Sequence, residues 1–359
     1  MGGGCAVGKG SCYMIGGNEI MITSTEHLTI DELNYLKANE GCILNPRMDC
    51  TFKAIFTQPT EDSRKALHSF LEAVLDREID EVKFEPNDAV QMLGTQRSVD
   101  YDINVRFSTG EVAEIEMQAW QQTYDYGKRA EYQVSRLLST HLNKGEPWSK
   151  VNKAYQISVL DYEYYPKELS KEEKKKRAKS VLNYYTMKNQ NGESLTNILN
   201  IVFIELTHLS ESYSREELEK LSAAEKWALF LKNADNTNSS ELVKNLTEKE
   251  GGIMNAQNVL SSISSDMGLW LAQYHAEVRE RDRLSNLEET KEQARAEGRA
   301  EGRAEGRAEG RAEGRAEGRA EGRAEGKIEG MAEGIKNLAS LLKSGISLDE
   351  AMKKLGQTV

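Results

Sequence analysis

Asp102, Glu114, Glu116 and Gln118 lie in one stretch, DINVRFSTGEVAEIEMQ (102–118). Its alternation of apolar and polar residues predicts two strands joined by a Gly-containing turn. Side chains alternate sides along a strand. Ile103, Val105 and Phe107 therefore share one face, and Ala113, Ile115 and Met117 share one face, which leaves the acids on the other. With STGE (108–111) as the turn, Phe107 lies across from Val112 and Asp102 across from Met117, diagonal to both Glu116 and Gln118. Carboxylates this close repel and raise one another's pKa. Such a cluster persists when a cation sits in it, and carboxylate oxygens suit Mg²⁺ or Mn²⁺. An ion there activates water and stabilises charge on a phosphodiester under attack. An ordinary solvated hairpin has the same spacing, and from spacing alone that is the commoner explanation.

Several elements must hold such a hairpin. TIDELNYLKAN (29–39) reads as a short helix capped near Thr29 or Asp31. A second helix is expected over about 48–56, and DSRKALHSFLEAVLDRE (62–78) puts Leu67, Phe70, Leu71, Val74 and Leu75 on one helical face. DEVKFEP (80–86) is a strand candidate. After the hairpin, residues 124–145 place Tyr132, Leu137, Leu138 and Leu142 at helical spacing, with Gly145 as the stop. AYQISVL (154–160), SVLNYYTM (180–187) and LNIVFIEL (199–206) read as strands. This order predicts an α/β layered core. Helices are expected over 215–233, 252–264 and 266–294, with Trp227, Leu229, Phe230, Trp270 and Tyr274 as packing contacts.

An acid, a spaced E-x-Q and helices in this order resemble the PD-(D/E)xK nuclease superfamily. More narrowly, the chain resembles the bacterial recombination-promoting nuclease / putative transposase family. MDCTFKAIF (48–56) is similar to that family's D-x-x-F-K-x-x-F opening. The hairpin, KRAEYQVSRLLSTHLNKGEPW and AYQISVLDY are similar to the family's downstream segments. The resemblance covers 45–295 and implies a restriction-endonuclease-like core, a mixed sheet flanked by helices, followed by an all-α region. It implies a metal-dependent DNA endonuclease using Mg²⁺ or Mn²⁺, associated with recombination or mobile DNA. Asp102 and Glu116 would bind the metal, with the Ile115 carbonyl or Glu114 as lesser candidates. Asp49 would be the acid from the first helix. Gln118 occupies the family's Lys position; it can hydrogen-bond but carries no charge. Lys53, one turn from Asp49, is a candidate for the missing charge, and Arg129 and Arg136 are candidates for phosphate contact. An inactive relative retained for binding or assembly is the alternative.

A net charge of −11 over 359 residues argues against sequence-blind coating of nucleic acid, but not against an enzyme with local basic groups. The basic run KEEKKKRAK (171–179) is most simply a solvated helix face. Four cysteines without C-x-x-C spacing suit a reducing cytoplasm rather than a zinc site. No apolar run has the length of a membrane span, and the expected location is cytoplasmic. GGGCAVGKGS (2–11) approaches a phosphate-binding loop, yet Gly10 stands where Ser or Thr must reach magnesium. Residues 1–28 are expected to be a flexible leader, 29–213 the nuclease-like domain, 214–294 a helical region, 295–334 a repeat tail and 335–359 a C-terminal helical segment. The tail repeats RAEG eight times from Arg295 to Gly326, making a long charged segment, helical or partly disordered. As an isolated helix it is marginal, because each Gly costs nearly 1 kcal/mol relative to Ala. Its small-residue and opposed-charge stripes suit either a homo-oligomer contact or a spacer. Ser347 and Glu350 have capping-box spacing ahead of a short amphipathic helix.

Overall fold

The computed structural model describes residues 11–15, 18–22, 28–87, 100–142, 144–166, 169–177 and 179–356. The glycine-rich sequence over 1–10, with its near-phosphate-loop spacing, lies outside the described residues. Within the segment expected to be a flexible leader, β1 (Ser11–Ile15) and β2 (Asn18–Ile22) pair as an antiparallel hairpin. Two compact units divide the chain, Met1–Glu280 and Arg281–Val359.

The first unit is built on a six-stranded mixed sheet in the order β3-β4-β5-β6-β8-β7. Its strands are β3 (Val82–Phe84), β4 (Ile103–Phe107), β5 (Val112–Gln118), β6 (Ala154–Leu160), β7 (Leu182–Thr186) and β8 (Leu199–Glu205). β5, β6 and β8 run parallel, while β3, β4 and β7 pair antiparallel to their neighbours. Parallel strands sit at the centre of the sheet with both faces covered, and every residue of β5 and β6 is buried.

The helices of this unit are α1 (Ile30–Ala38), α2 (Asp49–Thr57), α3 (Glu61–Leu75), α4 (Tyr126–Leu138), α5 (Lys171–Arg177), α6 (Arg215–Lys220), α7 (Ala223–Asn233), α8 (Ser240–Lys249) and α9 (Gly251–Ile263). Thr29, Ser214 and Ser222 each open a helix with a reciprocal capping box. α2 shows Phe52 and Phe56 to the core at i,i+4, and both are fully buried. Phe56 lies 5.2 Å from Phe70 of α3 and 5.9 Å from Trp227 of α7, ring centre to centre. This aromatic cluster fixes α2, and with it the exposed edge that carries Asp49 and Lys53. The helical region after residue 214 shares this core with the sheet: Leu229, Ile253, Ala256 and Leu260 are buried in the same cluster as Ile103 and Ile115.

α4 ends at Leu138, earlier than the periodicity predicts. The Ser139 and Thr140 hydroxyls donate to the carbonyls of Arg136 and Leu137, and His141 Nδ1 meets that of Leu138, so side chains satisfy the last turn. Its buried face is Tyr126, Ala130, Gln133, Val134 and Leu137, and Tyr132, expected inside, is 42% exposed.

α10 (Met267–Lys343) is one helix of 77 residues that includes every RAEG repeat. The repeats extend a helix already nucleated over 267–294, so the unfavourable first turn need not be made by the glycine-rich sequence. In the second unit, Ile328, Met331 and Ile335 are exposed along it. α11 (Leu348–Leu355) follows, with the Ser347 hydroxyl accepting from the Glu350 amide at 3.4 Å, one half of the expected box. Among the described residues no helix is long and apolar enough to cross a membrane.

α9 approaches α3 so closely that a Cβ on Gly252 would lie 2.2 Å from Ser69 Cβ and 3.4 Å from the Trp227 ring. Gly252→Ala is expected to lower the unfolding free energy by about 1–3 kcal/mol through overpacking. Chemical denaturation checks it, and an unchanged midpoint would show that the two helices separate freely.

Candidate active site

The β4–β5 turn closes one residue tighter than the sequence predicts. The Phe107 amide donates to the Glu111 carbonyl at 2.9 Å, and Gly110, at φ +85°, takes the left-handed position of a three-residue loop. Arg106 therefore pairs with Val112 and Ile103 with Ile115. This corrects the expected pairing of Phe107 with Val112. Continued by one step, the observed register puts Asp102 opposite Glu116 instead of Met117.

Glu116 and Gln118 point to the face covered by α4. Glu116 is fully buried, and its carboxylate accepts hydrogen bonds from Tyr126 Oη at 2.7 Å, Arg129 Nη2 at 2.9 Å and Gln133 Nε2. Tyr126, Arg129 and Gln133 recur at i, i+3 and i+7, a polar stripe aimed at one carboxylate. Tyr126 Oη also meets Ser158 Oγ at 2.8 Å, and Ser158 of β6 is the strand partner of Glu116. Gln118 Nε2 donates to Glu116 Oε2 at 3.4 Å, while Gln118 Oε1 accepts from Gln122 Nε2 at 3.3 Å. Gln133 and Ser158 lie in family-like segments, but neither they nor Tyr126 are expected as site residues from the sequence. The available signal is their polarity at positions that α4 and β6 bury.

Asp102 meets the other helix layer. Its Oδ1 lies 2.9 Å from Lys53 Nζ on α2, and Lys53 Nζ is 3.3 Å from Asp49 Oδ2. Asp102 Oδ2 accepts from the Met117 amide at 3.4 Å, so the acid is tied to the residue between Glu116 and Gln118. Against the pull of burial, the Asp102 and Asp49 carboxylates hold the Lys53 ammonium above its usual range. Crowding by neighbouring atoms, and then the Asp102 charge, push the Asp49 carboxyl up to about 7. Solvent screens part of that rise, because the Asp49 side chain is 56% exposed.

Glu114 is also fully buried and accepts from Gln133 Nε2 at 3.0 Å. Burial, and then the Glu116 charge, raise its carboxyl well above the ordinary range. Among the described residues, Glu114 Oε2, Asn104 Oδ1 and Gln156 Oε1 are buried acceptors without a donor, and both Asn104 and Gln156 are strand partners of Glu114. The raised pKa favours the protonated carboxyl, whose hydroxyl is a donor to that row. Arg136 sits half-buried on the last turn of α4, and its charge lowers the raised pKa of the Tyr101 hydroxyl.

The sequence-predicted residues thus fall into two groups joined through Met117: Asp49, Lys53 and Asp102 on one side, and Glu116, Gln118 and Arg129 on the other. Arg136 belongs to neither. A family model described as PD-(D/E)XK nuclease family transposase matches residues 46–290. The chain belongs to this family. Neither a curated protein nor a solved structure matches it.

Nucleases of this superfamily typically use divalent metals. The fit here is one of donor chemistry. Asp49, Asp102 and Glu116 offer only hard oxygen donors, and the two motif acids are neutralised by Lys53 and Arg129. Among the described residues, no three His, Cys, Asp or Glu side chains converge as a ready-made cage.

Arg129→Ala leaves the buried Glu116 without its cationic partner and is expected to cost on the order of 2 kcal/mol of stability. In a Glu116→Gln background the same change is expected to cost less than about 1 kcal/mol. Denaturation midpoints of the double-mutant cycle measure this, and equal costs in both backgrounds would show that the pair is uncoupled.

Proposed function

We propose that the protein is a metal-dependent DNA endonuclease that hydrolyses phosphodiester bonds, in recombination or on mobile DNA. The observation that carries this reading is the Asp102–Met117 hydrogen bond. It ties the motif's first acid to the strand bearing Glu116 and Gln118, beside the Asp49 and Lys53 of the family's opening helix. Asp102 and Glu116 would hold Mg²⁺ or Mn²⁺, with Asp49 as a further acid nearby. A bound ion supplies Lewis-acid polarisation and an activated water. Lys53 and Arg129 stand at the carboxylates, within range of a phosphate brought there, and replace in charge what Gln118 lacks. Gln118 keeps the capacity to orient a water through its amide.

The complete enclosure of Glu116 favours a second reading, an inactive nuclease-fold protein kept for binding or assembly. Plasmid cleavage in Mg²⁺ or Mn²⁺ separates the two. Wild type is expected to nick or linearise DNA, and Asp102→Ala and Glu116→Ala are expected to lose more than about a hundredfold in rate, beyond the effect of supporting residues. Full activity in either variant removes that residue from the site. Inactivity of wild type across both metals and across DNA forms supports the second reading.

The RAEG tail is proposed as a homo-oligomer contact. Its glycine and alanine stripes permit close helix approach, and its Glu and Arg stripes complement one another between chains. Light-scattering mass of the full chain is expected to exceed one protomer, and a chain ending near Asn286 is expected to be smaller in stoichiometry. Equal stoichiometry for both would make the tail a spacer.

A further inference from the structure

Beside the carboxylate network lies a cavity of about 260 Å³ that the proposed metal chemistry does not use. Its walls include Tyr124, Tyr126, Tyr162 and Tyr164, with Gln122 and Glu163 among the polar groups. The cavity joins the proposed active site through three contacts. Tyr126 Oη donates to Glu116, Arg129 Nη1 donates to Tyr124 Oη at 3.0 Å while Nη2 holds Glu116, and Gln122 donates to Gln118. An occupant of the cavity therefore lies next to the bond that Glu116 would help to break.

The lining selects the occupant. Phosphate is disfavoured, since Asp125 and Glu163 line the same cavity. Aromatic walls suit a flat ring, because base–tyrosine stacking tolerates any base. The volume is below the roughly 300–1,000 Å³ of sites for drug-sized ligands, which matches one ring system rather than a whole nucleotide chain. Among the described residues the Tyr162 hydroxyl has no partner, and Tyr162 is only 9% exposed. Tyr162 also lines the cavity, and a hydroxyl without a partner keeps hydrogen-bonding capacity that an occupant can use. Tyr164 Oη, in contrast, is already spent on Asp125 Oδ1 at 2.9 Å.

We propose that this tyrosine cavity receives an unpaired nucleobase of the substrate strand, stacked on Tyr124 and hydrogen-bonded at its edge by Tyr162. The substrate class is then DNA with unpaired or extruded bases next to the cleaved bond, in preference to blunt, fully paired duplex. This rests on the nuclease reading, and its test separates the two.

The full chain is titrated in EDTA with three fluorescein-labelled probes: a mixed-sequence single strand, the same strand with a run of abasic positions, and a blunt duplex. The base-bearing strand is expected to bind about tenfold more tightly than the abasic strand. Tyr124→Ala is expected to remove that difference. Tyr124→Phe, which keeps the ring and loses only the hydroxyl, is expected to retain it. Tyr162→Phe is expected to narrow the spread of affinities among homopolymer strands. Equal affinity of wild type for base-bearing and abasic strands overturns the proposal, whether or not DNA is cleaved in Mg²⁺. A base-dependent difference that survives Tyr124→Ala also overturns it, whereas one that Tyr124→Ala removes, without cleavage, upholds the cavity and rejects the nuclease reading alone.

Discussion

A carboxylate with no exposed surface, Glu116, sits within a central parallel strand, and the surrounding architecture reflects the need to pair it. An ionised group in such a place is tolerated only with several donors around it. α4 supplies three, from Tyr126, Arg129 and Gln133, and β6 supplies the Ser158 hydroxyl that positions Tyr126. Burial of the polar stripe of α4 thus has an electrostatic cause, and Val134 and Leu137 add the apolar contact that docks the helix. The β5–α4–β6 crossover can be read as a device for enclosing one negative charge between two parallel strands.

On the opposite layer the constraint is aromatic. Phe52 and Phe56 lock α2 against Phe70 and Trp227, so that Lys53 and Asp49 project from a helix that cannot roll. Asp102 lies where the two layers meet. Its backbone immediately precedes β4, its side chain bonds the amide of Met117, and its charge is met from α2. Alternation along strands explains why Glu116 and Gln118 share a face. It does not govern Asp102, which precedes the first paired residue of β4 and is free to turn toward α2.

That distinction marks how far the sequence is legible. The strands, most of the helices and the acids themselves follow from periodicity and spacing, because those record which face of each element is buried. The one helix expected over 215–233 is instead α6 and α7, broken where Ser222 opens a new cap, and α8 is not among the expected helices. The family model's span of 46–290 agrees with the resemblance carried by MDCTFKAIF and the hairpin. The register is not legible, because STG and STGE turns differ by whether Gly110 adopts a left-handed conformation, and both spellings contain the same glycine. The polar stripe of α4 is hidden for a related reason. Hydrophobic periodicity finds faces that bury apolar groups, so it selects Tyr132 and passes over Gln133, whose burial is dictated by two glutamates distant in sequence. The helical state of the RAEG repeats depends on the preceding helix, a context that propensities summed over the repeat do not contain.

Gln118 is the point where family pattern and local chemistry differ, and the hydrogen bonds give a physical reason for the amide. Gln118 donates to Glu116 and accepts from Gln122 at once. A lysine has three donors and no acceptor, so it could satisfy the first contact but not the second. A lysine would also compete with Arg129 for the same buried carboxylate, bringing a second cation into a site with 0% exposure at its acid. With glutamine in place, positive charge is instead delivered from two helices, by Lys53 at Asp102 and by Arg129 at Glu116. Each is partly exposed, 36% and 35% by side chain, while neutralising an acid. Moving the charge off the strand and onto flanking helices leaves the strand position free to link the acid to Gln122, one wall of the tyrosine cavity.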